Sequence, residues 1–229
     1  MNLLTPMPPL FFVASLLLSL GSILLALRLA PWRALLRVPI RQHLWLGSIL
    51  FLALFWSLNV NVSGFFALHP LAIATLAILF GWSLAVLAGA MASALWLLIN
   101  PIFSSQAQGL WSNFFSDHLL SVVVPVSASC LLAYWVGRLP RKNLFAFTLG
   151  VGFFGSIVGI LATLLVSAAL MFSLASEAQW QLYADKAILL LFLAFEEGVI
   201  NGMMITLFTV LTPDLVKTFD DRAYLDQPP

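Results

Sequence analysis

The stretch FFALHPLAIATLAILFGWSLAVLAGAMASALWLLI, residues 65–99, runs its whole length without an Asp, Glu, Lys or Arg. A bilayer core of about 30 Å takes about 20 apolar residues per helix, so the run is long for one span and short for two. A break would fall at Gly81-Trp82. With two helices, nine of the ten basic residues lie on one side of a membrane: Arg28, Arg33, Arg37 and Arg41, then Arg138, Arg141 and Lys142, then Lys217 and Arg222. Only Lys186 is left on the other side. With one helix the larger group shrinks to five of the ten. Basic residues favour the cytoplasmic face, so the two-helix reading is preferred. Both halves are short, which predicts a pair sheltered by neighbouring helices or entering beside a cavity, where backbone groups can be satisfied.

Working outward, charges, prolines and polar clusters divide the chain into seven expected spans: 10–30, 44–59, 67–80, 83–100, 118–137, 143–174 and 186–212. The expected fold is an all-α polytopic bundle with its N-terminus outside and its C-terminus inside. It forms a single membrane domain, 1–229, with a short cytoplasmic tail at 213–229. Splitting 143–174 into two instead would put eight basic residues on one side, a weaker segregation. The first residues lack the basic n-region of a secretory signal, so the first helix is expected in the mature protein. The expected location is a membrane that the chain crosses several times.

Composition supports the membrane reading. Of 229 residues, 62% are hydrophobic and only 8% charged, and the net charge is +1. A soluble domain carries about 25% charged residues. No basic face exists to neutralise nucleic-acid phosphates. The single Cys130 excludes a disulfide scaffold, and no G-x-x-x-x-G-K-[ST] loop is present, so any ATP hydrolysis belongs to another chain. There is likewise no H-E-x-x-H, C-x-x-C or G-x-S-x-G, and the chain is expected not to be an enzyme.

Polar groups inside the apolar runs are the candidate functional residues. The last span holds Phe195-Glu196-Glu197-Gly198-Val199-Ile200-Asn201-Gly202. A charge at mid-membrane costs about 2.5 kcal/mol or more, so such acids face partners or cavities. Consecutive helix positions diverge by about 100°, which separates Glu196 from Glu197. Glu197 and Asn201 share a face at i and i+4, beside a Gly198/Gly202 small-residue stripe, which predicts tight packing with Glu197 turned inward. The carboxylates could hold helices together, line a cation or proton path, or dock a partner subunit. His69, followed by Pro70, is the second candidate, as a metal ligand or as a histidine at a helix start. His118, after Asp117, is expected at a span mouth in a structural, interfacial role, and His43 among cytoplasmic arginines. The eight tryptophans are expected to form an aromatic belt.

Two segments resemble a known family. Val62-Ser63-Gly64-Phe65-Phe66-Ala67-Leu68-His69-Pro70-Leu71, continuing through Leu79-Phe80-Gly81-Trp82-Ser83-Leu84-Ala85, is similar to the S-G-H-L … G-x-x-x-A region of CbiM-type membrane subunits. Those are the substrate-capture permeases of cobalt and nickel energy-coupling-factor (ECF) transporters. Glu197-Gly198-Val199-Ile200-Asn201-Gly202 with Pro213-Asp214-Leu215 resembles their last helix and its cytoplasmic end. The resemblance implies an ABC transporter permease for transition metal ion uptake, with His69 in the metal site. It implies ABC ATPase subunits and a scaffold transmembrane subunit as partners within the lipid bilayer. No intrinsic cofactor is implied, the divalent transition metal being cargo. Glu196, Glu197 and Asn201 would then serve coupling or packing.

The departure lies at residue 2. In the metal-capturing members an inserted Met-His N-terminus joins the later histidine in a nitrogen-rich site. Here Asn2 stands in that place, and Glu197, His118 and Met7 are replacement donors by chemistry alone. Two rival readings follow. In one, a membrane protein has kept the fold, lost the metal and acts as an assembly partner. In the other, a proton-coupled carrier or intramembrane enzyme uses Glu196, Glu197, His69 and His118, which requires those groups to converge.

Overall fold

The computed structural model describes residues 2–62, 64–103, 111–139, 143–219 and 224. The chain is mostly helical, and five helical stretches are long and apolar enough to cross a membrane: Pro9–Leu29, Trp82–Ile102, Trp111–Val136, Ala146–Leu174 and Ile188–Leu211. Large apolar side chains point outward along them, among them Leu17, Leu25, Phe172 and Phe192. In water such a surface would be costly; in lipid it is the required one.

In chain order, strand β1 (Asn2–Leu3) precedes α1 (Pro9–Leu29), the short α2 (Trp32–Arg37) and α3 (Pro39–Phe55). Strands β2 (Val60–Val62) and β3 (Phe66–Leu68) follow, then α4 (Ile73–Phe80) and α5 (Trp82–Phe103). The next rod passes from α6 (Phe114–His118) through a π-turn at Leu119–Val123 into α7 (Val124–Val136). The π-turn sits just ahead of Pro125, which has no N–H to donate to an α-helical ladder. A second π-helical stretch, Ala146–Phe154, leads into α8 (Gly155–Leu174), then α9 (Glu177–Lys186) and α10 (Ile188–Leu211).

The break expected at Gly81-Trp82 is present. Gly81 has φ +82° and ψ 171°, a region open in practice only to glycine, and it separates α4 from α5. A Cβ there would also lie 2.7 Å from Lys217 Nζ. The segment expected as a span over 67–80 is only partly helical. Pro70 biases His69 away from helical angles, and residues 66–68 are drawn into a sheet instead. The sheet has the order β1-β3-β2 and is antiparallel throughout, with Asn2 opposite Ala67, Leu3 opposite Phe66, and Val62 also opposite Phe66. The all-helical expectation is corrected to this extent.

Every residue of α4 is buried, and its eight residues rise about 12 Å. It packs against α3, α5, α7 and α10 at the centre of the bundle. Long-range contacts sort the chain into two ends. At one end the indole N–H of Trp45 donates to Leu84 O, Lys217 N donates to Leu79 O, Arg41 Nη2 donates to Asp214 O, and Phe147 packs on Phe219. At the other end lie the sheet, the Trp56 indole donating to Leu71 O, Asn113 donating to Leu3 O, and Gln179 donating to Pro6 O. Arg28, Arg33, Arg37, Arg41, Arg138 and Lys217 all belong to the first end, and Lys186 to the second. Arg141, Lys142 and Arg222 lie outside the described residues.

Gly81→Ala is expected to cost about 1–3 kcal/mol through its backbone angles alone. Gly21→Ala, on an open face of α1 with nothing within 4 Å of a new Cβ, is expected to be neutral or stabilising. Thermal unfolding of the two purified variants in one detergent measures the difference.

Candidate functional site

The site is built around the two ends of the segment that joins β3 to α4. A helix leaves four N–H groups at its start and four carbonyls at its finish without internal partners. For α4, buried among apolar side chains, water cannot supply them. The α10 side chains do so at its start. Glu197 Oε1 accepts from Leu71 N, and both carboxylate oxygens accept from Ala72 N at 3.0–3.1 Å. Asn201 Oδ1 accepts from Thr75 N at 2.9 Å and from Thr75 Oγ1 at 2.7 Å. Asn201 Nδ2 donates back to Glu197 Oε2 at 2.6 Å and to Glu197 O at 2.8 Å. At the finish of α4, Lys217 N and Thr218 Oγ1 donate to Leu79 O and Ile78 O. The Glu197 carboxyl group also lies against the positive end of the α4 dipole.

Glu197 and Asn201 thus both turn inward from one face of α10 onto the start of α4. Glu196 is exposed on the outer surface of α10 and takes no part. The glycine stripe packs as expected: a Cβ at Gly198 would meet Ile157 at 2.9 Å, and one at Gly202 would meet Phe153 at 3.3 Å. The partner of that stripe is this chain's own π-helical stretch and α8, so the stripe is used within the subunit.

His69 follows β3 directly and is 1% exposed. Its Nδ1 lies 3.2 Å from Pro70 O. A carbonyl only accepts, so this contact calls for a proton on Nδ1. Trp56 packs on the ring at 5.3 Å between centroids. Next to it, β1 is inserted between β3 and α6. Leu3 N donates to Asp117 Oδ1 at 2.7 Å, and Asn113 Nδ2 donates to Leu3 O and Thr5 O at 3.0 and 2.8 Å. Asn113 and Asp117, four residues apart, present one face to the strand. Asn2, Trp56, Ser93, Trp96, Phe114 and Asp117 line a narrow internal gap with no room for a water molecule. Asn2 Nδ2, Trp96 Nε1 and Asp117 Oδ2 are buried there without a hydrogen-bond partner among the described residues. Two of these atoms are donors and one is an acceptor, and a buried polar group without a partner is costly.

Asp117 holds the inserted strand, and no motif in the sequence marks it. The available signal was an acid in an apolar run, four residues after an Asn. His118 is corrected from interfacial to interior, since it is wholly buried. Its Nε2 lies 3.3 Å from Val86 O and its Nδ1 2.7 Å from Ser19 Oγ, so both ring nitrogens have partners in α5 and α1. The tryptophan belt is corrected likewise: Trp45, Trp56 and Trp96 are buried, whereas Trp32, Trp111 and Trp135 are exposed. The four groups of the carrier reading do not converge. Glu197 and His118 are committed to separate hydrogen-bond networks, and Glu196 faces outward. Among the described residues no three His, Cys, Asp or Glu side chains gather closely enough to hold a metal ion.

Comparison with protein-family models, with curated proteins and with solved structures finds no match to this chain.

Glu197→Gln turns an acceptor into a donor facing the Ala72 and Asn201 donors, and is expected to cost about 1–3 kcal/mol. Glu196→Gln is expected to stay within about 0.5 kcal/mol of the parent. Unfolding of both variants in the same lipid nanodiscs reads the contrast.

Proposed function

We propose that this chain is the substrate-capture permease subunit of an energy-coupling-factor-type ABC uptake system, and that its cargo is a transition-metal cation of the cobalt and nickel class. The observation that carries the reading is the buried β1 strand, paired with β3 immediately ahead of His69 and pinned by Asp117. The resemblance of the Val62–Leu71 region to metal-capturing subunits implies that arrangement of chain.

The chemistry of the residues supports it further. A backbone carbonyl beside Nδ1 helps to orient the His69 imidazole, the usual kind of second partner for a ligand histidine. Asp117 Oδ2 is buried beside the inserted strand without a partner among the described residues, and Asn2 contributes an amide in place of the family's imidazole. A mixed nitrogen and oxygen donor set replaces the nitrogen-rich one, and it widens the range of divalent metals accepted.

In this reading the chain crosses a bacterial inner membrane seven times, the β3–α4 segment completing the short crossing. The sheet end faces outward and the arginine-rich end faces the cytoplasm, in line with the preference of basic residues for that side. The cation enters at the sheet end. A scaffold membrane subunit and a pair of ABC ATPases supply the energy, since the chain carries no nucleotide loop of its own. Glu197 and Asn201 would carry any movement of α10 directly to the segment holding His69.

One observation favours the second reading, a subunit that kept the fold and lost the metal: Asn2 supplies an amide where the family supplies an imidazole. Equilibrium binding of cobalt, nickel, copper and zinc to the purified protein decides between the two. The permease reading expects one equivalent of metal, lost in both His69→Ala and Asp117→Ala while Glu196→Gln retains it. Absence of binding for all four ions in the folded parent protein would overturn metal capture in favour of the second reading.

A further inference from the structure

Helices α3 and α10 both rest on α4 without closing on each other. Between them runs a cavity of about 260 Å³, walled by Gly47 and Phe51 of α3, Leu76 and Leu79 of α4, and Met204 and Phe208 of α10. Its surface is almost entirely apolar, and at the end nearest the tail it reaches His43. Gly47 is open to this space, with nothing within 4 Å of where a Cβ would sit. Arg41 lies three residues before Leu44 on the same helical face, and its guanidinium reaches across to Asp214 O at 2.7 Å. The side chain thus spans the mouth between the start of α3 and the end of α10. That bond engages one of the five N–H donors a guanidinium carries.

Basic residues outnumber acidic ones at this end, where Asp214 is the one described acid. Arg28, Arg33, Arg37 and Arg41 stand together in the sequence, and no Asp or Glu occurs before Asp117. A guanidinium matches a phosphate with two parallel hydrogen bonds, and basic pockets between membrane helices are recurrent sites for anionic headgroups. Size selects the rest of the ligand. A transmembrane helix measures about 10–12 Å across with its side chains and is too broad for the cavity, whereas an extended acyl chain is slender enough.

We propose that the α3–α4–α10 groove is a binding site for an anionic glycerophospholipid, one acyl chain lying along Gly47, Leu76 and Met204 and the phosphate held at Arg41 and His43. The bound chain wedges α3 from α10 on the surface of α4, the helix whose start is clamped by Glu197 and Asn201. The phosphate end of the site, at Arg41 and His43, stands apart from the metal cargo, while the other end of the groove reaches Ala72 and Thr75, the residues that Glu197 and Asn201 hold.

Native mass spectrometry of the full chain, released from nanodiscs of equimolar phosphatidylglycerol and phosphatidylcholine with matched acyl chains, tests the proposal. The expected result is one retained phosphatidylglycerol, favoured over phosphatidylcholine by about fivefold or more, from the attraction of basic residues for an anionic headgroup. Arg41→Gln with His43→Gln is expected to erase that preference and keep the retained chain, while Gly47→Phe is expected to lose both lipids. Arg41→Gln alone, which leaves the groove walls untouched, carries the test if the double variant does not fold. Equal retention of the two lipids by the parent protein, or an unchanged preference in the Arg41 variants, would overturn the site. Displacement of the lipid by inorganic phosphate alone would overturn it in favour of a simple anion site.

Discussion

A buried helix of eight residues cannot persist in an apolar interior unless its end groups are paired, and this requirement organises the molecule. Each unpaired backbone group away from water costs several kcal/mol, more than a short helix gains from its own few hydrogen bonds. Glu197 and Asn201 meet the requirement at the start of α4, and the tail residues Lys217 and Thr218 meet it at the finish. The last part of the chain is thereby bound to a segment more than a hundred residues earlier. An acid that would be costly anywhere else in the membrane is stabilised at the one place where N–H groups converge on it.

The same pairing places the candidate site. Leu71 and Ala72, whose N–H groups Glu197 accepts, follow His69 by two and three residues, and Trp56 closes over the His69 ring while donating to Leu71 O. On the other side the β1–β3 pairing and Asp117 fix the approach of Asn2. His69 is thus held between a clamp on α10 and an inserted strand. Ala72, with φ +50°, is the one described non-glycine residue in the left-handed region. It turns the chain from the sheet into α4, and its N–H is the one that both carboxylate oxygens hold.

Much of this was legible in the residues. The length of the 65–99 run and the spread of basic residues placed the break at Gly81, and helical spacing put Glu197 and Asn201 on one face with Glu196 off it. The strands were not legible. Asn2-Leu3 and Phe66-Ala67-Leu68 carry no turn or alternation signal of their own, and they form a sheet because each supplies the other's backbone partners. His118, Trp45 and Trp56 depart from expectation for a related reason. Their polar atoms predicted an interface with water, whereas Val86 O, Leu84 O and Leu71 O satisfy them inside the bundle.

The sequence by itself determined where the apolar helices run, which end of the bundle is basic and which acid faces inward, because these follow from hydrophobic length, charge and a 100° helical step. Only the tertiary structure decided what each buried polar group is paired with. Hydrogen-bond partners such as Glu197 and Ala72, or Leu3 and Asp117, lie more than a hundred positions apart. No local spacing encodes a contact of that range; it arises when the helices close on one another and every N–H and carbonyl left in the dry interior must find its complement.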